Sequence, residues 1–463
     1  MISAAVERPG ASGGVRAPAA SKAARDLRIE NERKKITMLR MASAETFKAA
    51  AASDRELLYK LRGLDATVRI GPDEHALDID VRAGAIADVR SAGGAADVII
   101  SAPDAFWSVA LARPDVEPGY ESLSMAFTQG LKVEGDLSSL VAAYQGAWQR
   151  LYLVLRGAVC GTAQRRPEPA LPRETDTAIG RYAYIRANGE EARIYYETAG
   201  SGTVPLLLQP TAGADGRQYR YLLANPEMQK RFTMYAYDLP YHGKSLPPLG
   251  VRWWEQPYKP TRDYLMNWVV AIADHLGLDQ PFFMGCSVGG QLALDLAAFH
   301  KERFGAFISL NGWYDSPVAS DEINNDIFRT PAISEDYPMS IILGGTAPVA
   351  PEAHAHEVYW VYRSNFPGVY AGDNDYFMHQ HDLKQYGHLV DAKAKPVIVV
   401  AGEYDPASHN EVHGGPAVER NIPGAEFHVA EGLGHFAPAD DPEGFAKSIL
   451  PILDRALARS AGK

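Results

Sequence analysis

Cysteine is nearly absent from this chain. Cys160 and Cys286 are the two present among 463 residues. A disulfide-framed fold is thereby excluded, and a reducing, cytoplasmic setting is expected. Positive charge is also in deficit. The net charge of −11 excludes general affinity for nucleic acid. Apolar runs of membrane-spanning length are missing, and so is any internal repeat. The histidine pairs His354/His356 and His379/His381 have no cysteine or third ligand at metal-site spacing. No metal and no other cofactor is expected. The remaining composition is that of an ordinary globular protein, long enough for two or three domains.

The first 40 residues depart from that average. They carry nine Lys or Arg against four Asp or Glu, with an Ala/Gly/Pro/Ser-rich stretch from Ala11 to Ala24. This segment has no apolar core of a secretory signal, and Glu7 argues against an organellar transit peptide. A disordered basic tail over residues 1–42 is expected.

Residues 43–157 predict a small α+β domain. Ala44 to Arg62 reads as one helix with Phe47, Leu57, Leu58 and Leu61 on its apolar side. Ala66–Ile70 and Ala76–Arg82 alternate with period two around the turn Gly71-Pro72-Asp73-Glu74, which predicts a hairpin. Ile86–Arg90 and Asp97–Ile100 are expected to continue the meander. A helix at Pro103–Ala112, a strand at Leu131–Asp136 and a helix to about Leu155 complete the domain. This order, with its Lys132–Leu137 segment, resembles the sterol-carrier-protein-like fold. The resemblance implies an apolar tunnel for a lipid or acyl-CoA. The alternative is a domain without ligand, used for homodimerisation or to cover an active site. A Pro-rich linker follows at 158–178.

The chemistry is concentrated after residue 179. The apolar run Pro281–Met284 leads into Gly285-Cys286-Ser287-Val288-Gly289 and then into the helical stretch Gly290–Phe299. A strand, a glycine-flanked turn and a helix hold a serine out at the carboxyl end of a parallel sheet. Two further strands end in ionisable residues. Asp405 follows Pro396–Val400, and His435 lies in a glycine loop after Glu426–Ala430. Gly180–Ala199 alternates around Asn188-Gly189 and predicts an antiparallel opening to the sheet.

The order Ser287, Asp405, His435 resembles the nucleophile, acid and base of α/β-hydrolase-fold serine hydrolases. The segment Asp238–Ser245 resembles that family's D-x-x-G-H-G-x-S loop, with Pro240-Tyr241 at its start. It implies a structural role for His242. The family's usual His-Gly after the third strand is replaced by Pro210-Thr211, so Ala212 is the expected oxyanion-hole residue together with Val288. Asp315, after the strand Ala306–Leu310, is a competing acid position.

Roughly 80 residues separate Ala306–Leu310 from Pro396–Val400, far more than a simple crossover needs. In the resembled family an insertion here, at about 313–385, forms a helical cap. Aromatic residues crowd it, and Trp313, Tyr314 and Trp360 are expected at the substrate pocket, joined by Trp253. The expected fold is α/β: an α/β-hydrolase domain at 179–463 with a helical cap, preceded by the α+β domain. The expected activity is hydrolysis of a carboxylic ester, lactone or thioester of a bulky hydrophobic or aromatic compound. The same triad serves C–C bond hydrolysis or acyl transfer. A hydrolase-like ligand-binding protein is the reading from another class.

Overall fold

The computed structural model describes residues 44–72, 75–168, 175–316, 325–330, 333, 336–366 and 368–461. The expected basic tail lies outside the described residues. Two compact units are present: residues up to 164 with 332–344, and 165–331 with 345–463.

The first unit is built on a five-stranded sheet, β1 (Ala66–Ile70), β2 (Leu77–Arg82), β3 (Ala85–Ser91), β4 (Val98–Ser101) and β5 (Lys132–Gly135), in the order β3-β2-β1-β4-β5. The meander stops after three strands. Strand β4 crosses to the other side of β1 and pairs with it in parallel, Val68 opposite Val98. Gly93 and Gly94 carry that connection, and their N–H groups donate to Asp78 Oδ2 at 3.1 and 3.4 Å. Asp78 is fully buried, so its carboxylate must be satisfied by such donors.

The helix expected over Ala44–Arg62 is two helices, Ala44–Ser53 and Arg55–Lys60. Asp54 breaks them by capping the second. Its side chain accepts from Leu57 N and pairs with Arg150 at 2.7 Å. The long helix Gln145–Cys160 buries Trp148 and Tyr152 against Phe47, Phe106 and Trp107, which fill the core. The helix Asp336–Leu343 belongs to this unit and packs on Gln145–Cys160, although in sequence it lies inside the 313–385 insertion.

Glu121 is buried in this unit. Its Oε2 accepts from Gly119 N at 2.6 Å, and Oε1 has no partner among the described residues. Burial pushes its pKa up to about 7, against the pull of backbone donors and Arg156. The folded state therefore holds this proton more tightly than the unfolded chain does. Its stabilising effect is complete below the ordinary carboxyl range and is lost as pH rises towards 7. Glu121→Gln should remove on the order of 3 kcal/mol of pH dependence from the unfolding free energy between pH 4.5 and 8. Urea unfolding of the two proteins at both ends of that range measures the difference. Parallel pH profiles would contradict the expectation.

The second unit carries an eight-stranded sheet: β6 (Ile179–Ala187), β7 (Glu190–Ala199), β8 (Val204–Gln209), β9 (Phe232–Tyr237), β10 (Phe282–Cys286), β11 (Ala306–Leu310), β12 (Val397–Gly402) and β13 (Glu426–Ala430). The order is β13-β12-β11-β10-β8-β9-β7-β6. Strands β6 and β7 form the antiparallel opening, turning at Asn188 and Gly189 with φ of 55° and 76°. The strands from β9 through β13 run parallel with their neighbours β8 and β10–β12. Every residue of β10, β11 and β12 is buried, as a parallel sheet covered on both faces requires. This is the α/β-hydrolase fold.

Candidate active site

The site is assembled where β10, β11, β12 and β13 end. Strand β10 finishes at Cys286, and the helix Val288–Phe299 begins two residues later. Ser287 between them has φ 57° and ψ −112°, a conformation that costs a non-glycine residue on the order of 1–3 kcal/mol. The surrounding backbone holds it there. Ser287 N donates to Leu310 O at 2.7 Å, and Ser287 O accepts from Gln291 N at 2.9 Å. The flanking glycines are needed for closeness. A Cβ at Gly285 would lie 2.1 Å from Gly289 O, and one at Gly289 would lie 2.7 Å from Gln209. Cys286, the other polar side chain of this turn, is fully buried, and burial pushes its thiol up to about 12.

His435 faces Asp405. His435 Nδ1 and Asp405 Oδ2 are 2.7 Å apart. Nδ1–H therefore donates to the carboxylate, and Nε2 is left to accept a proton. Burial alone would push the Asp405 carboxyl up. His435, Ser408 and His409 outweigh it and hold the group below the usual carboxylate range. The main chain of the histidine is fixed from the serine side. Cys286 Sγ donates to His435 O at 3.2 Å, and Asn311 Nδ2 donates to the same oxygen at 2.9 Å.

Sequence reasoning does not single out Asn311 or Ser408. Asn311, at φ 52°, also accepts from Gly402 N at 2.8 Å and so joins the ends of β11 and β12 to the histidine loop. Ser408 Oγ donates to Asp405 Oδ2 at 2.6 Å and is itself approached by Trp313 Nε1 at 3.3 Å. The signal available for Ser408 is its place three residues after Asp405, within one turn. Asn311 offers no comparable signal, because all its side-chain partners are distant in sequence.

The competing acid is engaged elsewhere. Asp315 pairs with His413 Nδ1 at 3.0 Å and Lys384 Nζ at 2.5 Å. His242 is buried and lies 2.7 Å from Asp373 Oδ2 and 3.0 Å from Pro240 O, away from the base position. Of the histidine pairs, His354 stacks on Tyr221, and both ring nitrogens of His381 are occupied, by Asp295 and Trp313 O. Among the described residues no group of three or more His, Cys, Asp or Glu could hold a metal. No described helix is long and apolar enough to cross a membrane.

The two expected oxyanion residues both present spare donors. Val288 opens its helix, where the first N–H groups lack intrahelical acceptors. In the turn after β8, Thr211 N donates to Gln218 Oε1, Gly213 N to Asp373 Oδ2 and Ala214 N to Thr211 O. Ala212 N donates to no group among the described residues.

The aromatic expectations need one correction. Trp360 does not line a cleft; it is 64% exposed. Its helix, Glu352–Arg363, buries His354, Ala355, Val358, Val361 and Tyr362, and helical periodicity turns Trp360 to the opposite side. Tyr362 is the inward ring: its hydroxyl contacts Thr211 Oγ1, and it packs edge-on against Phe436, the residue after His435. Trp313 packs against Phe377, and Tyr314 is half-buried. Trp253 is 42% exposed and rests on Phe366.

Comparison with known proteins agrees with this architecture. The sequence profile of the α/β hydrolase fold matches residues 204–334. The chain is 23% identical over 296 residues to the 2-hydroxy-6-oxononadienedioate/2-hydroxy-6-oxononatrienedioate hydrolase of Paraburkholderia phymatum, covering 60% of this chain and 97% of that one. It is 24% identical over 286 residues to 3-oxoadipate enol-lactonase 2 of Acinetobacter baylyi, covering 58% and 95%. Among solved structures, a thermophilic esterase from Thermogutta terrifontis superposes with a TM-score of 0.50 at 18% identity, covering 60% of this chain and 99% of that one. The fold and these similarities support a hydrolase reaction.

Proposed function

We propose that this chain is a serine hydrolase acting on a carboxylic ester, lactone or thioester of a bulky hydrophobic or aromatic compound. The observation that carries the reading is the 2.7 Å contact of His435 Nδ1 with Asp405, together with a serine held at positive φ on a strand-to-helix turn whose Cys286 donates to His435 O. Ser287 Oγ attacks the carbonyl carbon as His435 Nε2 takes its proton. The carbonyl oxygen gains negative charge and rests on Ala212 and Val288 N–H. Collapse expels the alcohol or thiol, which receives the proton from His435. A water then gives its proton to His435 and attacks the acyl-enzyme, and the acid leaves as Ser287 is regenerated. Asp405 stays ionised throughout and stabilises the imidazolium. The test is labelling with a fluorophosphonate and hydrolysis of p-nitrophenyl esters. A protein that neither labels at Ser287 nor turns over any ester would be a ligand-binding relative of the hydrolases.

C–C bond hydrolysis is the second reading, supported by the named activity of the Paraburkholderia relative. It uses the same nucleophile with a carbon leaving group. Turnover of a 2-hydroxy-6-oxo dienoate well above that of esters would favour it. Acyl transfer is distinguished by adding an alcohol, which would then intercept the acyl group in place of water.

Trp313, Tyr314 and Tyr362 support selectivity for large apolar acyl or alcohol groups. A ring buried against substrate contributes on the order of 1.5–3 kcal/mol, roughly ten- to a hundredfold in kcat/KM when the contact persists into the transition state. Esters of acetate, hexanoate and naphthoate should be cleaved with rising kcat/KM, and Trp313→Ala should flatten the series. Trp360→Ala should leave it unchanged. A preference for acetate would mean a small pocket.

A reducing, cytoplasmic setting is part of the proposal, supported by two free cysteines of which Cys286 is buried. The sterol-carrier-like reading of the first unit is supported by its order of helices, three-stranded meander, crossed strand β4, helix, strand β5 and final helix. Its core is filled by Phe47, Phe106, Trp107, Trp148 and Tyr152, so lipid binding there requires these rings to move. Binding of a fluorescent acyl chain by the full-length protein tests it.

A further inference from the structure

The turn after β8 is gripped by the insertion. Its contacts come from two helices, Glu352–Arg363 and Val369–His379. Tyr362 OH meets Thr211 Oγ1. Asp373 Oδ2 accepts from Gly213 N at 2.7 Å. Gly213 has φ 65°, and a Cβ there would stand 2.8 Å from Tyr370 Cβ, so helix and turn are in direct contact. Among the described residues, each N–H from Thr211 to Ala214 has an acceptor except that of Ala212.

We propose that Asp373 is a positioning residue for the oxyanion hole: by fixing the Gly213 peptide from the insertion, it aims Ala212 N–H at the reacting carbonyl. This rests on the hydrolase reading of Ala212 given above. Asp373 does not touch the reacting atoms.

The side chain is well suited to that task. Asp373 is 2% exposed and has three donors around it. Oδ2 takes Gly213 N and His242 Nε2, each at 2.7 Å, and Oδ1 takes Tyr258 OH at 3.3 Å. His242 Nδ1 faces Pro240 O at 3.0 Å. A carbonyl oxygen and a carboxylate thus face the two ring nitrogens. Burial opposes a charge on the ring, but Asp373, Pro240 and the nearby Asp238 outweigh it and raise the histidine pKa. The His242–Asp373 contact is enclosed in protein, where bonds to charged groups are shorter and stronger than neutral ones. The Gly213 N–H is thus tied to an anchor that is itself fixed on two further sides. An oxyanion donor acts only when aimed in advance, because reorienting it during the reaction would consume the gain.

The experiment uses full-length wild type, Asp373→Ala, Asp373→Asn and Tyr362→Phe. Kinetics are measured with p-nitrophenyl hexanoate, and amide hydrogen exchange is followed for peptides covering residues 209–216. Asp373→Ala should lower kcat roughly thirty- to a hundredfold with KM within threefold, since ground-state binding does not use the oxyanion donor. Exchange in the 211–214 turn should rise about tenfold while the β10–β12 strands stay protected. Asp373→Asn keeps a neutral acceptor for Gly213 N–H and should recover most of the loss. Tyr362→Phe should lower kcat severalfold, again without a change in KM. Unchanged exchange and kcat in soluble Asp373→Ala would overturn the proposal, and so would a loss carried by KM. Should Asp373→Ala fail to fold, Asp373→Ser takes its place, since its hydroxyl is too short to reach Gly213 N–H, and wild-type kcat and exchange in that variant would overturn the proposal. Failure of the hydrolase reading is separate. Wild type would then leave the ester intact and Ser287 unlabelled, and the exchange of the turn would still show whether Asp373 holds it.

Discussion

Ser287→Ala should reduce kcat on the order of a million-fold and leave the fold intact. Alanine keeps the Cβ and the positive φ of the turn, so the elbow retains its strain and its two backbone hydrogen bonds to Leu310 and Gln291. What disappears is the oxygen that forms the acyl-enzyme. The oxyanion donors and the pocket remain, so a residual rate above that of water is expected. The measurement is burst and steady-state release of p-nitrophenol, with circular dichroism to confirm folding. Activity within tenfold of wild type would remove Ser287 from the mechanism, and the buried, protonated Cys286 could not take its place.

Asp405→Asn should cost on the order of ten-thousand-fold in kcat. Asparagine can present an N–H to His435 Nδ1, which favours the tautomer with its proton on Nε2. That tautomer cannot take the proton from Ser287. The imidazolium formed in the transition state also loses its ionised partner. The effect should be specific to this carboxylate. Asp315→Asn breaks contacts to His413 and Lys384 and should cost far less. Ser408→Ala removes one hydrogen bond to Asp405 Oδ2 and should fall between them. Steady-state kcat of the three variants on p-nitrophenyl hexanoate, set against wild type, separates these cases. A greater loss in Asp315→Asn than in Asp405→Asn would move the acid to the end of β11.

The parallel strands were legible because each is a short β-branched or apolar run, and such runs are confined to buried sheet. The serine turn was legible for a local reason as well. Gly285, Ser287 and Gly289 are neighbours, and the steric demand of the elbow acts among them. Asp405 and His435 could be read because each follows its own strand by a few residues. Where a local signal failed, a distant contact had prevailed. Asp54 broke a helix by capping the next one at Leu57 N, and Arg150, 96 residues away, holds that capping carboxylate. Strand β4 left the meander to lie parallel to β1, a choice between two edges that no local pattern encodes.

Helical amphipathicity marks one inward face, yet aromatic density alone did not say which rings lie on it. Trp360 and Tyr362 stand two residues apart on one helix, and the packing of that helix sends the first to solvent and the second to Thr211. The oxyanion turn was decided in the same way. Sequence identified Ala212 as a residue near the end of β8. Only the folded chain shows that its N–H is left without an acceptor among the described residues, because Gln218 and Asp373 take the donors on either side. Strands and sharp turns follow from forces between neighbouring residues and can be read along the chain. The aim of a single N–H is set by side chains that folding brings together from 7 and 160 residues away, and tertiary structure alone determines it.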